Sequence, residues 1–263
     1  MPEQFDAQWL RLREPADHAA RAVSLLPPLQ ARLPTHRPVR IVDLGAGAGS
    51  NLRYLAPRLT GKQSWLMVDH DPGLLALAAN TENLPQGVVA RPHIQDLGQW
   101  PLPLDEADLV TASALLDLVT DDWLRRLAES CAAAQLPALL ALNYDGRVQL
   151  APEHPLDSDV IEAVNAHQHG PKAMGQALGP GATEASHAYF SALGYEVRTQ
   201  SSTWQLDGHQ QALQGALMSG WHEAACAQQP SRRQDFNAWL EARLAMTDAS
   251  VITVGHQDIL ALP

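Results

Sequence analysis

Short, mostly continuous apolar segments alternate with helical segments along the first half of this 263-residue chain. Continuous apolar runs are typical of parallel strands that are buried on both faces of a sheet. Since the crossovers between such strands are nearly always right-handed, the alternation predicts a doubly wound sheet. The predicted strands are VRIVDL (39–44), SWLMVDHD (64–71), GVVARPHIQDL (87–97), ADLVTASALLDLV (107–119) and PALLALNYDG (137–146), with helices over 51–59, 72–80 and 121–134.

The spacing of the elements changes after Gly146. A sixth strand is predicted over 194–206 and a last strand over 249–260, and the segments 147–193 and 207–248 between the strands have helical character. We therefore expect an α/β fold with a doubly wound, mostly parallel, seven-stranded sheet, in one domain over 1–263. Residues 1–36 are expected to form an N-terminal helical segment.

Three glycines follow the first predicted strand in IVDLGAGAGSN (41–51). Glycine-rich turns between a strand and a helix commonly hold nucleotides. The dinucleotide pattern G-x-G-x-x-G fails at its third position, where Ser50 stands, and no Lys-Ser/Thr pair follows Gly49 as in a phosphate loop. The turn therefore favours a ligand without phosphates. The alternative is that the glycines only allow close helix packing.

Acidic residues stand at the ends of three successive predicted strands, namely Asp43, Asp69 and Asp96. Open α/β sheets bind ligands at the carboxyl ends of their strands, so these side chains are expected to form one polar rim. A carboxylate such as Asp69 can accept two hydrogen bonds from a ribose diol, and Asp96 could accept one from an adenine amino group. The alternative is that Asp69 and Asp96 cap helices.

Together these motifs resemble the class I S-adenosylmethionine-dependent methyltransferases of the small-molecule type. The segments VDLGAGAGSN, LMVDHD, IQDL and ADLVTASALLDLV resemble four family motifs in order, over 39–146. The resemblance implies a Rossmann-like methyltransferase fold and S-adenosyl-L-methionine as the cofactor. It implies that the glycine turn receives the methionine part, that Asp69 holds the ribose hydroxyls, and that Asp96 with Leu97 contacts adenine. The full set of expected cofactor contacts on these motifs is Asp43 (facing the amino group), Gly45, Ala46, Gly47, Gly49, Asn51, Asp69, His70 (stacking on adenine), Gln95, Asp96, Leu97 and Ser113.

Three charged residues recur every fourth position in the predicted N-terminal helix, so that Arg13, Asp17 and Arg21 share one face. One interpretation is a solvated ladder of ion pairs. The other is that Arg13 or Arg21 pairs with the carboxylate of the cofactor. Both interpretations stay open.

The candidate catalytic residues are Asn143, Tyr144 and Asp145, which we expect at the end of the fifth strand, facing the cofactor. Methyl transfer mainly requires that the acceptor is positioned and water is excluded. A base such as Asp145 or Tyr144 is needed only where the nucleophile carries a proton. The alternative is a turn stabilised by Asn143 and Asp145. N-, O-, S- and C-methylation all stay open.

In the family that the chain resembles, the connection after the fifth strand is short and the last two strands form a hairpin. Segments 147–193 and 207–248 are therefore expected to be helical insertions that form a lid over the substrate side. Candidate substrate contacts in this lid are His167, Gln168, His169 and Lys172. His154 and His187 complete a histidine-rich stretch, which is interpreted as surface rather than as a metal site. The lid tryptophans are core residues or an aromatic wall against the acceptor, and they are Trp204, Trp221 and Trp239.

The net charge of −11 and the near absence of lysine argue against nucleic acid as a partner. No stretch approaches the roughly 20 apolar residues of a membrane span, and two cysteines in Ala-rich contexts fit a reducing compartment. We expect a cytoplasmic methyltransferase acting on a small soluble acceptor, with no membrane partner and a homodimer as an open option. The alternatives are a nucleotide-dependent oxidoreductase on a similar sheet and a non-catalytic, methyltransferase-like partner protein.

Overall fold

The computed structural model describes residues 6–79 and 84–263. Two N-terminal helices precede five strands in the first half of the described chain. The first five residues of the predicted N-terminal segment, and Asn80 at the end of the helix predicted over 72–80, lie outside the described residues. The elements are α1 (Ala7–Ala20), α2 (Leu26–Gln30), β1 (Val39–Leu44), α3 (Ser50–Leu55), β2 (Gln63–Asp69), α4 (Pro72–Ala78), β3 (Val88–Ile94), β4 (Leu109–Ser113), α5 (Asp121–Ala133) and β5 (Ala138–Ala151).

The second half is mainly helical and carries the strands that complete the sheet. A short hairpin, β6–β7, stands between the first two of its helices. The elements are α6 (Asp157–Gln168), β6 (Pro171–Lys172), β7 (Gly175–Gln176), α7 (Ala182–Ala192), β8 (Glu196–Ser201), β9 (Trp204–Leu206), α8 (Gln211–Gln228), α9 (Arg233–Leu244) and β10 (Val251–Leu262).

The central sheet has the strand order β3-β2-β1-β4-β5-β10-β8, and β9 also pairs with β10. Strands β1 to β5 are parallel, whereas β10 is antiparallel to its neighbours β5, β8 and β9. The predicted mostly parallel, doubly wound α/β fold is therefore confirmed. The order reverses between β1 and β4, which makes the carboxyl ends of these two strands the expected ligand crevice.

The predicted sixth strand is divided into β8 and β9, so the described sheet has eight strands rather than seven. The two pieces pair with different parts of β10, on either side of register shifts around Gly255. At Gly255 a Cβ atom would lie 2.1 Å from Asp145 Oδ1, so the Asp145 carboxylate on β5 fills the space that a side chain here would need. The irregularity in β10 therefore interrupts the strand that pairs with it.

Strand β5 is longer than predicted, because β10 continues the antiparallel ladder to the pair Val251–Ala151. The expectation that Asn143, Tyr144 and Asp145 end the fifth strand is therefore wrong. They lie in the middle of β5, where Asn143 pairs with Gln257 and Tyr144 with His256.

Helices cover both faces of the parallel part of the sheet, and a third cluster holds the insertions together. Helices α5 and α7 pack on one face, and α2, α3 and α4 on the other. Helices α6, α8 and α9 form the third cluster with β9 and the extended ends of β5 and β10. In this cluster Asp157 accepts hydrogen bonds from Trp239 Nε1 at 2.8 Å and from Arg243 Nε at 3.0 Å. Trp204, Trp221 and Trp239 are all buried, in accordance with the core interpretation.

Candidate active site

A cavity of about 880 Å³ lies at the carboxyl ends of β1, β2 and β4, where the strand order reverses. Helix α1 lies over one side of it, and α5 and the β6–β7 hairpin contribute another part of its wall. The structure brings together many of the predicted cofactor contacts in its lining, namely Arg13, Gly45, Ala46, Gly47, Asn51, Asp69, His70, Asp96, Leu97 and Ser113.

The glycine turn has two different parts. All three of its glycines have positive φ angles, which are +66° at Gly45, +50° at Gly47 and +84° at Gly49. Gly45 and Gly47 line the cavity, whereas Gly49 does not. A Cβ atom on Gly49 would lie 3.0 Å from Ala78 Cα, so this glycine lets α3 begin close against α4. The packing alternative therefore explains Gly49, while Gly45 and Gly47 present their backbone to the cavity.

Asp69 ties the end of β2 to the glycine turn. Its Oδ2 accepts a hydrogen bond from Gly47 N at 2.8 Å, and its Oδ1 accepts one from Asp71 N at 3.0 Å. Asp71, not Asp69, is the N-cap of α4 and accepts from Gly73 N and Leu74 N. His70 Nδ1 lies 3.3 Å from Asp69 Oδ1 at the cavity wall. The helix-cap alternative for Asp69 is therefore wrong, and its carboxylate is held in a fixed orientation in the lining.

The loop after β3 places Asp96 and Leu97 in the lining but turns Gln95 away. Asp96 Oδ1 accepts from Gly98 N at 2.8 Å, which closes a tight loop rather than capping a helix. Leu97 O accepts from Trp123 Nε1 at 2.7 Å. The amide of Gln95 donates to Gln99 O and Pro101 O, and its position outside the lining corrects the prediction of a cofactor contact.

A buried polar network lies behind the glycine turn. Asn51 lines the cavity and donates through Nδ2 to Asp43 Oδ1 at 2.8 Å and to Thr111 Oγ1 at 3.1 Å. Arg21 Nη1 donates to Asn51 Oδ1 at 2.9 Å, and Arg21 Nε lies 3.3 Å from Asp258 Oδ2. Burial raises the pKa of Asp43 to about 7, although the hydrogen bond from Asn51 and the charge of Arg21 oppose the rise.

Two predicted cofactor contacts are therefore corrected, since Arg21 and Asp43 are buried and absent from the lining. Both reach the cavity only through Asn51. Asp258 holds Arg21 away from the cavity through their ion pair. The Asp258 carboxylate is itself fixed, because its Oδ1 accepts a hydrogen bond from Leu142 N at 2.7 Å and its Oδ2 accepts one from Ala22 N at 3.0 Å. One carboxylate thus joins the end of α1 to β5 and β10.

Helix α1 presents Arg13 to the cavity. Arg13 Nε donates to Asp17 Oδ2 at 2.9 Å, and Asp17 Oδ1 accepts from Trp204 Nε1 at 3.2 Å. The ion-pair interpretation holds for Arg13 and Asp17, but Arg21 does not continue the ladder. Glu14 also lines the cavity and pairs with Arg53 at 2.6 Å, which fixes α1 against α3.

The three candidate catalytic residues do not line the cavity. Asn143 Nδ2 donates to Leu140 O and Gln257 O, and Tyr144 OH donates to Asn165 Oδ1 at 2.7 Å. Burial raises the pKa of Tyr144 above its ordinary value. For Asp145 burial would raise the pKa, but hydrogen bonds from Arg147 and Gln257 outweigh it and hold the pKa low. Their side chains are thus used within the β5–β10 region, and their catalytic role stays a prediction without support from this geometry.

Of the predicted substrate contacts, Lys172 lines the cavity, whereas His167, Gln168 and His169 do not. Lys172 belongs to the β6–β7 hairpin. A backbone hydrogen bond from Leu178 N to Val119 O, 2.9 Å long, attaches the base of this hairpin to the segment before α5. Residues 207–248 contribute nothing to the described lining and pack on α6 and α1 instead. Of the two insertions, the first therefore reaches the cavity with its hairpin.

Several residues of the described lining were not predicted from the sequence. A pattern of i, i+3 spacing on α5 could have indicated Trp123 and Arg126, since both fall on one face. The others depend on tertiary contacts that no local pattern signals. The missed residues include Leu10, Glu14, Trp100, Leu115, Leu118, Trp123, Arg126 and Met174.

No group of three His, Cys, Asp or Glu side chains within residues 6–79 and 84–263 has the geometry to hold a metal ion. In the same ranges, no helix is long and apolar enough to cross a bilayer.

Residues 41–137 match the family model described as a methyltransferase domain. Two curated relatives are trans-aconitate 2-methyltransferases. That of Variovorax paradoxus is 38% identical over 94 residues, covering 35% of this chain and 34% of the relative. That of Methylobacterium nodulans is 33% identical over 138 residues, covering 50% of this chain and 48% of the relative. The chain thus matches about half of these relatives' length or less.

Among solved structures, the cyclopropane synthase MmaA2 from Mycobacterium tuberculosis aligns with a TM-score of 0.51 at 14% identity. The alignment covers 98% of this chain and 94% of that chain, and it supports the fold alone. The sheet thus has a Rossmann-like methyltransferase fold, and its parallel half contains the matched domain. Residues 41–137 are therefore similar to a methyltransferase domain, which supports the resemblance to the class I S-adenosylmethionine-dependent methyltransferases that the four motifs predict.

Proposed function

We propose that this protein transfers a methyl group from S-adenosylmethionine to a small-molecule acceptor. One observation carries the proposal: the turn at Gly45 and Gly47 and the carboxylates of Asp69 and Asp96 line one cavity at the switch point of the sheet. Its volume of about 880 Å³ is near the upper end of the roughly 300–1,000 Å³ of small-molecule sites. That size leaves room for a second small molecule beside the cofactor.

The residues in the cavity fit the adenosyl and methionine parts of this cofactor. Gly45 and Gly47 offer an open backbone, and Asp69 is fixed by two amide donors while still facing the cavity. Asp69 would hold the ribose hydroxyls, and Asp96 with Leu97 would contact adenine. Arg13 would lie near the methionine carboxylate, and it also forms an ion pair with Asp17. When bound, S-adenosylmethionine supplies an electrophilic methyl group on a sulfonium.

The task of the protein is then to position the acceptor and to exclude water. Helix α1 and the β6–β7 hairpin form part of the cavity wall and would serve to exclude water. His70 is the single histidine in the described lining, and it lies against Asp69 rather than at the wall formed by α5. An acceptor that needs no base, such as a carboxylate, suits this lining because its nucleophilic oxygen carries no proton at neutral pH.

The names of the two curated relatives point to the same chemistry. Trans-aconitate is therefore the first acceptor to test. Transfer to one of its carboxylates would form a methyl ester and leave S-adenosylhomocysteine.

Calorimetric titration with S-adenosylhomocysteine tests cofactor binding directly. We expect saturable binding by the wild type and a loss of at least about tenfold in affinity for Asp69→Ala. Asp105→Ala, on an exposed loop outside the cavity, is the matched control and should bind as the wild type does. Binding of NAD(H) in place of S-adenosylhomocysteine would support the oxidoreductase alternative. Binding of neither would contradict the proposal.

Mass spectrometry of acceptors incubated with S-adenosylmethionine tests the transfer. A mass increase of one methyl group on trans-aconitate, dependent on Asp69, is the expected result. Cofactor binding without transfer to any acceptor in a carboxylic acid panel would favour the non-catalytic alternative.

A further inference from the structure

The part of the cavity wall formed by α5 carries a cationic side chain, that of Arg126. Arg126 lies on α5, and its guanidinium carbon lies 4.4 Å from the centre of the Trp100 ring. Trp100 in turn packs against Trp123, with ring centroids 6.2 Å apart. Trp123 is fixed by the bond from its Nε1 to Leu97 O. Arg126 therefore rests on an aromatic wall that is anchored to the adenine-side loop.

The acidic residues of the described lining are already engaged elsewhere. Glu14 pairs with Arg53, Asp17 with Arg13, and Asp122 with Arg125. Asp69 and Asp96 accept hydrogen bonds from backbone amides. Within residues 6–79 and 84–263, Arg126 forms no ion pair with a carboxylate, so its charge lies at the cavity rim without a counter-ion among these residues.

The adjacent residues Arg125 and Arg126 on α5 point in different directions. Arg125 points to the outer surface, where it pairs with Asp122 at i−3 and Glu129 at i+4. Arg126 is rotated by about 100° from it around the helix axis and reaches the cavity. The two arginines share one helix and similar exposure, but only one of them lies in the lining.

The β6–β7 hairpin brings further groups to the same region. Lys172 lines the cavity from the hairpin. Met174 Cγ lies 3.9 Å from the position of a Cβ on Gly98, and Thr120 Cγ2 lies 3.1 Å from that of a Cβ on Gly175. The hairpin therefore extends from the start of α5 to the loop after β3, and it brings a second cationic side chain to the cavity.

We propose that Arg126, stacked on Trp100, forms a carboxylate-binding subsite that selects an anionic organic acid as the methyl acceptor. The inference rests on the proposed function and identifies the side chain that recognises the acceptor. A planar guanidinium binds a carboxylate through two parallel hydrogen bonds, and stacking on an indole orders it beforehand. Because the chain carries a net charge of −11, an anion needs such a local cation to enter the cavity.

The subsite binds one carboxylate of the acceptor and leaves another free to react. Arg126 is therefore a specificity-determining residue rather than a catalytic one. It should affect the affinity for the acid much more than the rate of transfer at saturation.

Calorimetry on the protein saturated with S-adenosylhomocysteine provides the test, with trans-aconitate and its neutral trimethyl ester as the two probes. The wild type should bind the acid at least about tenfold more tightly than the ester. Arg126→Gln should lose about tenfold or more in affinity for the acid, with unchanged affinity for S-adenosylhomocysteine and for the ester. Arg126→Lys, which keeps the charge but not the planar fork, should lie between them.

Arg125→Gln is the matched control, since it removes the same charge one residue away. It should bind the acid as the wild type does. An equal loss in both variants would mean that the overall surface charge attracts the acid, and it would overturn the subsite. So would unchanged binding of the acid by Arg126→Gln.

The two proposals fail in different ways. A wild type that does not bind S-adenosylhomocysteine contradicts the proposed function. A wild type that binds S-adenosylhomocysteine but prefers the ester, or binds neither probe, contradicts the anionic subsite alone.

Discussion

The backbone amide of Gly47 donates to Asp69 Oδ2 at 2.8 Å, so the turn after β1 and the end of β2 are one rigid unit. The second oxygen of the same carboxylate accepts from Asp71 N at the start of α4. Both oxygens of Asp69 are therefore needed to shape the wall of the cavity, apart from any contact with a ligand.

Asp69→Asn should weaken the turn, because an asparagine side chain has only one oxygen to offer to the two amides. We expect a loss of about 1–3 kcal/mol in the free energy of unfolding and weaker binding of S-adenosylhomocysteine. Urea unfolding and calorimetry check the two effects. Wild-type values for both would show that neither amide depends on this carboxylate.

Gly49→Ala should destabilise the protein more than Gly61→Ala. Both glycines have nearly the same positive φ, +84° and +85°. A Cβ at Gly61 would meet nothing within 4 Å, whereas one at Gly49 would lie 3.0 Å from Ala78 Cα. Backbone strain of about 1–2 kcal/mol is common to both, and overpacking adds about 1–3 kcal/mol at Gly49. Urea unfolding of the two variants measures the difference, and equal losses would contradict the packing role of Gly49.

Because of Asp43, the free energy of unfolding should fall as the pH rises from about 4 to about 7. The folded-state pKa of this residue, about 7, lies above the unfolded value of about 3.9. Between these values the folded state binds more protons than the unfolded state, so this contribution is complete below about pH 4 and is lost as the pH rises through about 7.

Asp43→Asn should remove this dependence, because the amide stays neutral and its oxygen still accepts from Asn51. The difference in unfolding free energy between the variant and the wild type, followed by urea unfolding from pH 4 to pH 8, should shift in favour of the variant by a few kcal/mol. A difference that stays constant over this range would mean that Asp43 is ionised throughout in the folded protein.

Arg243→Met should be strongly destabilising, because it leaves Asp157 without its cation in a largely buried position. Arg243 is 1% exposed and bonds to Pro152 O as well as to Asp157. Breaking such a pair typically costs about 3–5 kcal/mol. Arg125→Met, which breaks an exposed pair, should leave the urea midpoint nearly unchanged. Similar effects of the two changes would show that the Arg243–Asp157 pair is not buried in solution.

The parallel half of the fold was predictable because each of its strands is an apolar run with a clear end. The turn at Gly45 and the acids Asp69 and Asp96 were predictable for the same reason, since strand ends define the crevice. The length of β5 was not predictable, because Asn143 to Asp145 look like a turn until β10 pairs with them. Strand length there depends on a partner more than a hundred residues away along the chain.

The positions of Arg21 and Arg126 could not be predicted, for opposite physical reasons. Arg21 shares a helix face with Arg13, yet the buried carboxylate of Asp258 draws it out of the cavity. Arg126 looks like any exposed arginine on an amphipathic helix, and only the packing of Trp100 and the hairpin makes its surroundings a cavity rim. Sequence periodicity predicts which residues share a helix face, but it does not predict which other elements that face contacts.

Asp258 sits in β10 and receives Arg21 from a position 237 residues earlier in the chain. Helix α1, which covers one side of the cavity, is thus attached to the sheet by a residue that comes later in the chain than every described lining residue. A nascent chain that ends just after Met174 would contain the whole described lining but would lack this attachment of α1. The contact between the end of α1 and the sheet therefore forms only after β10 has been synthesised, later than the residues that line the cavity.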